Sequence, residues 1–420
     1  MDEEGIGVSI EAALTDPNYA TDVPAHVPPE LILDFNLYDG SKDPFETYKA
    51  LFDAGAPDLF WTRHHGGHWI ALGAQASFAI AQNAKNFSTA RMLVPDSQNF
   101  DEPLFLPLQA DPPAHGFYRA LVQPLFHPRR LALLQQGIHN FTNAAIDDIL
   151  VRGECEFMAD FASQMPVDVF LRLMDLPPDD RLHLLGIAAR VFAPDAADGH
   201  REAPLQELFD YLTPTIEARF ARPGDDIVSE MIRTEIDGRK ITPVEMVRLA
   251  TTILLGGLDS VPAVLGYYAR YLAQNPEARR ILIEKPEIVP NAVEEILRRF
   301  PPTTQGRNVT ADTEVKGVQM KTGDHVVWAS AMANMDPRRF TDPLAVDFTR
   351  RHGTIGSFGN GIHFCLGASL ARTELRIFTE TWLPRIPDFH IPEGAEIGYR
   401  MGINFTLTQV PLKIGPAPAH

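Results

Sequence analysis

Residues 357–367 read Ser357-Phe358-Gly359-Asn360-Gly361-Ile362-His363-Phe364-Cys365-Leu366-Gly367 and run straight into Ala368-Ser369-Leu370-Ala371-Arg372. Gly359 and Gly361 permit a tight turn that a Cβ would obstruct. Cys365 then falls at the start of an apolar helix, where unpaired amide N–H groups and the helix dipole stabilise a thiolate. Such a sulfur is a good ligand for ferric iron. A lone cysteine is more often a buried core thiol, but the phenylalanines, glycines and histidine around this one weigh against that.

The chain has 420 residues, its 35 prolines are spread along it, and no Gly/Ser linker or internal repeat marks a seam. One domain over 1–420 is expected, with an irregular segment over 1–40. Lys and Arg total 37 against 55 Asp and Glu, a formal charge of −18, so neither nucleic acid nor an anionic membrane is an expected partner. The acidic N-terminus lacks the basic and apolar regions of a signal peptide, and no uninterrupted apolar run is long enough to span a bilayer. The expected location is cytoplasmic. An intracellular setting argues against pairing Cys155 with Cys365, which leaves one buried thiol and one with a job.

Asp43-Pro44-Phe45-Glu46 reads as an N-cap, a proline at N1 and a capping-box glutamate. Phe60–Thr62 and Trp69–Ala71 read as a hairpin. The stretch from Ala90 to Ala110 is a long loop whose composition suits a mobile lid. Asp111-Pro112 starts another helix, and helix dominates to about Ala273, broken at Pro177-Pro178, Pro194 and Pro223-Gly224. Helices around Pro290–Phe300 and Leu366–Trp382 follow, with short strands at Asp324–Trp328 and Asn404–Pro411. The fold class is mainly α with small β-sheets.

Leu254-Leu255-Gly256-Gly257-Leu258-Asp259-Ser260 lies inside a long apolar helix. Two glycines mid-helix cost roughly 1 kcal/mol each against alanine, and a flat ligand packed against the backbone would justify them. Pro262 predicts a local kink. Glu295 and Arg298 stand at i and i+3, which in isolation reads as a solvated pair of little worth. His115 and Arg119 stand at i and i+4, which in isolation reads as an exposed stripe.

Together these segments, from about Phe45 to Pro411, resemble the cytochrome P-450 family, and most closely its bacterial camphor-hydroxylase branch. The resemblance implies a haem between the long glycine-bearing helix and the cysteine-loop helix. Cys365 would be the metal ligand to haem b, with Gly257, Phe358 and Gly367 against it. His115, Arg119, Arg307 and His363 match positions that hold the haem propionates. Asp259 and Ser260 match an acid–alcohol pair that feeds protons to bound dioxygen, with Ser260 in place of the usual threonine. Glu295 and Arg298 would be a buried structural pair, with Arg339, in Asn334–Phe340, as its third member.

The implied activity is that of a haem-thiolate monooxygenase using O2 and two electrons. No flavin, nicotinamide or iron–sulfur motif occurs in the chain, so an acidic iron–sulfur ferredoxin with its reductase is the expected donor. Arg129, Arg130, Arg350, Arg351 and His352 are candidates to receive it. Val94, Phe105, Thr252, Leu255, Thr303, Ile403 and Asn404 fall where the branch lines its substrate pocket. Camphor-hydroxylating relatives orient the ketone with a tyrosine, and Arg91 to Pro113 contains none. Another terpenoid or norisoprenoid is the expected substrate. A peroxide-driven enzyme, or a non-catalytic haem sensor or carrier, is the alternative; the Asp259-Ser260 pair argues against the first, and turnover would exclude the second.

Overall fold

A computed structural model describes residues 18–40, 43–95, 102, 104–192 and 201–415. The expectations for residues 1–17, for Pro194 and for the middle of the 90–110 loop fall outside the described residues. The rest is mainly helical with small sheets.

Local signals start the first helix where the sequence says: Asp43 accepts from the backbone N–H groups of Phe45 and Glu46, and Pro44 opens Pro44–Asp53. The second such signal misleads. The helix α1 (Ala114–Val122) begins beyond Pro112 and Pro113. Neither proline has an N–H for a cap to satisfy, and the Asp111 carboxylate turns instead to Ser88 Oγ and Thr89 N.

The long apolar stretch forms two successive pieces, α2 (Pro243–Leu258) and α3 (Ser260–Gln274). A reciprocal Thr242–Glu245 capping box starts α2. Asp259 interrupts the pair with φ −117°, three residues before Pro262, whose ring collides with the preceding turn. Together Pro243–Gln274 is long and apolar enough to cross a membrane, but 72% of its most apolar window is buried inside the protein, as befits a core helix. The helix α4 (Val289–Arg299) and the cysteine helix α5 (Ala368–Arg385) complete the frame.

One sheet has five strands in the order Leu59–Thr62, His68–Ala71, His325–Ala329, Thr304–Val309 and Phe87–Ser88. The expected hairpin is its edge, antiparallel with Trp61 opposite Trp69. The strand Thr304–Val309 was not legible, because it carries a glycine and polar residues. Gly306 is there for space: a Cβ at that position would lie 2.0 Å from the Met92 carbonyl oxygen. One apolar core joins this sheet to α3, α4 and α5, and a second joins α1 and α2 to Gln164–Met174 and Glu202–Ala221.

His68 in the edge hairpin is fully buried, and burial pushes its pKa down to about 3, helped by His65 and His325. The folded state therefore favours the neutral ring. The stability this confers is complete above the ordinary histidine value near 6.5 and is lost as pH falls towards 3. Between pH 6 and 4, urea unfolding should show a loss of about 2–3 kcal/mol from this group, which His68→Phe removes.

Candidate active site

The cysteine loop is anchored before it turns. Gly356 N donates to Asn334 Oδ1 at 2.7 Å, Asn334 Nδ2 donates to Ser357 Oγ at 3.0 Å, and Ser357 Oγ donates to the Leu297 carbonyl at 2.7 Å. Gly359 and Gly361 then both adopt φ +71°, and a Cβ on Gly361 would meet the Ala81 carbonyl oxygen at 2.2 Å. Cys365 N donates to the Phe358 carbonyl at 2.9 Å, closing the loop just ahead of α5. Cys365 is exposed, and the surface it presents lines a cavity. Burial pushes the thiol pKa up, opposed by the Gly367 and Ala368 amides, Arg119 and Arg372. The helix-start amides are thus where the sequence predicts them, but burial outweighs them.

The cavity has a volume of about 420 Å³ and opens between the two apolar cores. Gly256, Gly257 and Ser260 line it on one side, and Phe358, Cys365 and Gly367 on another. A Cβ on Gly256 would find no atom within 4 Å, and one on Gly257 would just reach Pro166 at 3.9 Å. The two glycines therefore leave open space where side chains would project. Phe105, Thr252, Leu255, Thr303, Ile403 and Asn404 all line the cavity. Val94 does not. The chain bends through 93–95, so Val94 packs into the core while Met92 faces the cavity.

At the cavity edge four basic groups converge. The His115 and His363 rings stand 4.5 Å apart. Burial lowers the His363 pKa to about 3, and Arg307, His115 and Arg119 push the same way. Burial also brings Arg307 down to about 10, with Asp111 opposing. His115 Nε2 is buried without a hydrogen-bond partner. The nearest acid, Asp111, is already engaged by Ser88 and Thr89. This cluster is short of negative charge, and an anionic group would complete it.

At the kink, Ser260 Oγ donates to the Gly256 carbonyl at 2.8 Å. The buried Asp259 carboxylate is held by Arg400 and by Asn404 Nδ2, the latter at 2.8 Å, and Asn404 Oδ1 accepts from Thr303 Oγ1 at 2.7 Å. Neither partner of Asp259 was assigned to it from the sequence.

Behind the loop, Glu295 and Arg298 are wholly buried and paired through two bonds of 2.8 and 2.9 Å. The third member is Arg350, not Arg339. Arg350 Nε reaches Glu295 Oε1 at 3.1 Å, whereas Arg339 donates to the carbonyls of Ala333 and Thr354. The loop after Phe340 folds back over α4 and delivers Arg350 from the far side. That also changes the expected basic patch. Arg350 and His352 turn inward towards Glu295, and Arg130 pairs with Glu230, so of the five candidates Arg129 and Arg351 are the ones that stand exposed with no ion pair among the described residues.

Over residues 200–397 the chain matches the family model described as Cytochrome P450. Probable cytochrome P450 127A1 of Sinorhizobium fredii is 32% identical over 383 residues, which cover 89% of this chain and 92% of that protein. This chain is a cytochrome P450. A steroid C26-monooxygenase of Mycobacterium tuberculosis is 30% identical over 85% of this chain and 97% of that one. The crystal structure of CYP101J2 superposes with a TM-score of 0.86 at 32% identity, covering 94% of this chain and all of that one, and CYP101C1 with 0.84 at 32% over the same shares.

Cytochromes P450 bind haem b and are monooxygenases that take O2, a substrate and electrons from redox partners. The residues present fit that cofactor. A thiol faces the cavity, two helix glycines leave space for a flat ring, and a buried unpartnered histidine nitrogen sits among cations where carboxylates would bind.

One cavity-lining acid was missed. Glu374 on α5 is buried, and desolvation raises its carboxyl to about 8. Its signal was present: Leu370, Glu374 and Phe378 share one helix face at i±4 spacing, and an acid there interrupts an apolar stripe.

Proposed function

We propose that this cytochrome P450 hydroxylates a terpenoid or norisoprenoid in the cytoplasm, taking both electrons from an acidic ferredoxin served by its own reductase. The carrying observation is the cavity itself: a space of about 420 Å³ walled mainly by apolar side chains, reaching both Cys365 and Ser260, with no tyrosine among its lining residues. A volume of that order suits a small hydrophobic molecule.

When bound, haem b supplies the activation of dioxygen and the attack on a C–H bond. Cys365 would hold its iron and Gly257 would allow its ring to approach the helix backbone, while His115, Arg119, Arg307 and His363 would hold its propionates. The apolar wall formed by Phe105, Leu255 and Ile403 orients the substrate and excludes water. Asp259 is the acid next to Ser260, and the Ser260 hydroxyl is the group that presents a proton at the cavity.

That hydroxyl bonds the Gly256 carbonyl, but it lacks the γ-methyl that would restrict its rotamer. Ser260→Thr should lower peroxide released per NADH consumed, measured with a reconstituted ferredoxin system; equal yields would sink this role.

A spin-state titration of the ferric protein tests the substrate class, with camphor, cineole, linalool, ionones and a medium-chain fatty acid as the panel. A near-complete shift with an ionone or monoterpene supports the reading. A shift with the fatty acid alone overturns it.

A further inference from the structure

Arg201 is the N-cap residue of Glu202–Ala221 and lines the same cavity. Its Nε is buried and has no hydrogen-bond partner, and among the described residues no carboxylate stands within ion-pair distance of its guanidinium. Among the described residues, the charged and titratable groups that act on it are Arg400, Tyr38 and Asp259. None of them is a free counter-ion. Asp259 already accepts from Arg400 and Asn404. Arg400 carries the same charge and is engaged further by the Phe192 carbonyl at 2.6 Å. The Tyr38 phenol is pushed up to about 12 by burial, so it is neutral at pH 7. Arg201 and Arg400 therefore face one carboxylate, which Arg400 holds, and among the described residues Arg201 has no counter-ion of its own. A partly buried cation without a partner is disfavoured, and a ligand anion would supply the missing charge.

We propose that Arg201 receives a carboxylate carried by the substrate. This rests on the reading above and narrows it: the substrate is a terpenoid acid whose apolar body fills the cavity while its carboxylate meets the Arg201 guanidinium. The planar guanidinium offers paired N–H donors that match the two oxygens of a carboxylate, a geometry a ketone or alcohol cannot use twice. Charge balance separates the same classes, since only the acid neutralises the cluster.

The test uses haem-loaded enzyme at pH 7.5 and two matched pairs: perillic acid with perillyl alcohol, and decanoic acid with decanol. Binding is read by calorimetry as well as by the spin-state shift. Wild-type enzyme should bind perillic acid at least about tenfold more tightly than the alcohol. Arg201→Gln should bring the two within about twofold, and Arg201→Lys, which keeps the charge, should retain part of the preference. Equal binding of acid and alcohol by wild-type enzyme, or a preference that survives Arg201→Gln, overturns the proposal. If only the decanoyl pair binds, the terpenoid reading falls, and the decanoic acid to decanol ratio in wild type and Arg201→Gln still decides the role of Arg201. Failure of both acids to bind overturns it as well.

Discussion

Cys365→Ala should abolish turnover while leaving the protein folded. The sulfur faces a cavity, so its loss removes little packing. Under the proposed assignment it would also remove the thiolate that gives a haem of this class its push of electron density towards O–O cleavage. The expected result is substrate oxidation at background, together with loss of the carbon-monoxide difference band of a thiolate-ligated ferrous haem. Far-UV circular dichroism should be unchanged. Cys155→Ala is the control. That thiol is buried, burial pushes its pKa up to about 12, and it lies in the strand Glu154–Glu156, away from the cavity lining. Both the band and the turnover should survive it. A Cys365→Ala enzyme that kept the band would remove the basis for the whole site.

Glu295→Ala should cost about 3–5 kcal/mol in denaturant unfolding, because it strands a fully buried Arg298 without its partner. The same carboxylate also accepts from Asp347 N at 2.9 Å and from Arg350. The damage should spread to the cysteine loop, since Leu297 and Asn334 hold Ser357 and Gly356. Lower haem retention is therefore expected alongside the shifted midpoint. The adjacent Glu294→Ala tests the physical reason. Glu294 pairs with Arg372 where both side chains are about one-third exposed, and such a pair is worth about 0–1 kcal/mol. Two neighbouring glutamates should thus differ several-fold in cost, and comparable losses would contradict the burial argument.

What could be read from the chain was local. Gly359, Gly361 and Cys365 act within one loop, so their spacing sets the turn and the position of the sulfur. Glu295 and Arg298 are three residues apart, and His115 and Arg119 four, so helix geometry alone puts each pair on one face. Asp259 and Pro262 mark the kink for the same reason. The Asp111 cap failed for a local reason too: it was read without counting that Pro112 and Pro113 have no N–H to offer.

What only the tertiary structure decided was long-range. Arg350 lies 55 residues from Glu295, Arg400 lies 141 from Asp259, and Asn404 lies 145 from it. A short segment containing Arg338, Arg339, Arg350 and Arg351 offers four guanidiniums of equal reach, and spacing cannot say which one the loop path delivers to a buried carboxylate. Likewise nothing local distinguishes Val94 from Met92 as the residue that faces the cavity, because a bend in the chain makes that choice. The sequence by itself determined the turn that carries Cys365, the helix-borne pairs and the mainly helical fold class, since each depends on patterns within a few residues. The folded chain decided which distant charges meet and that Arg201, on the cavity wall, has no carboxylate among the described residues, because that balance exists only after burial has chosen the partners.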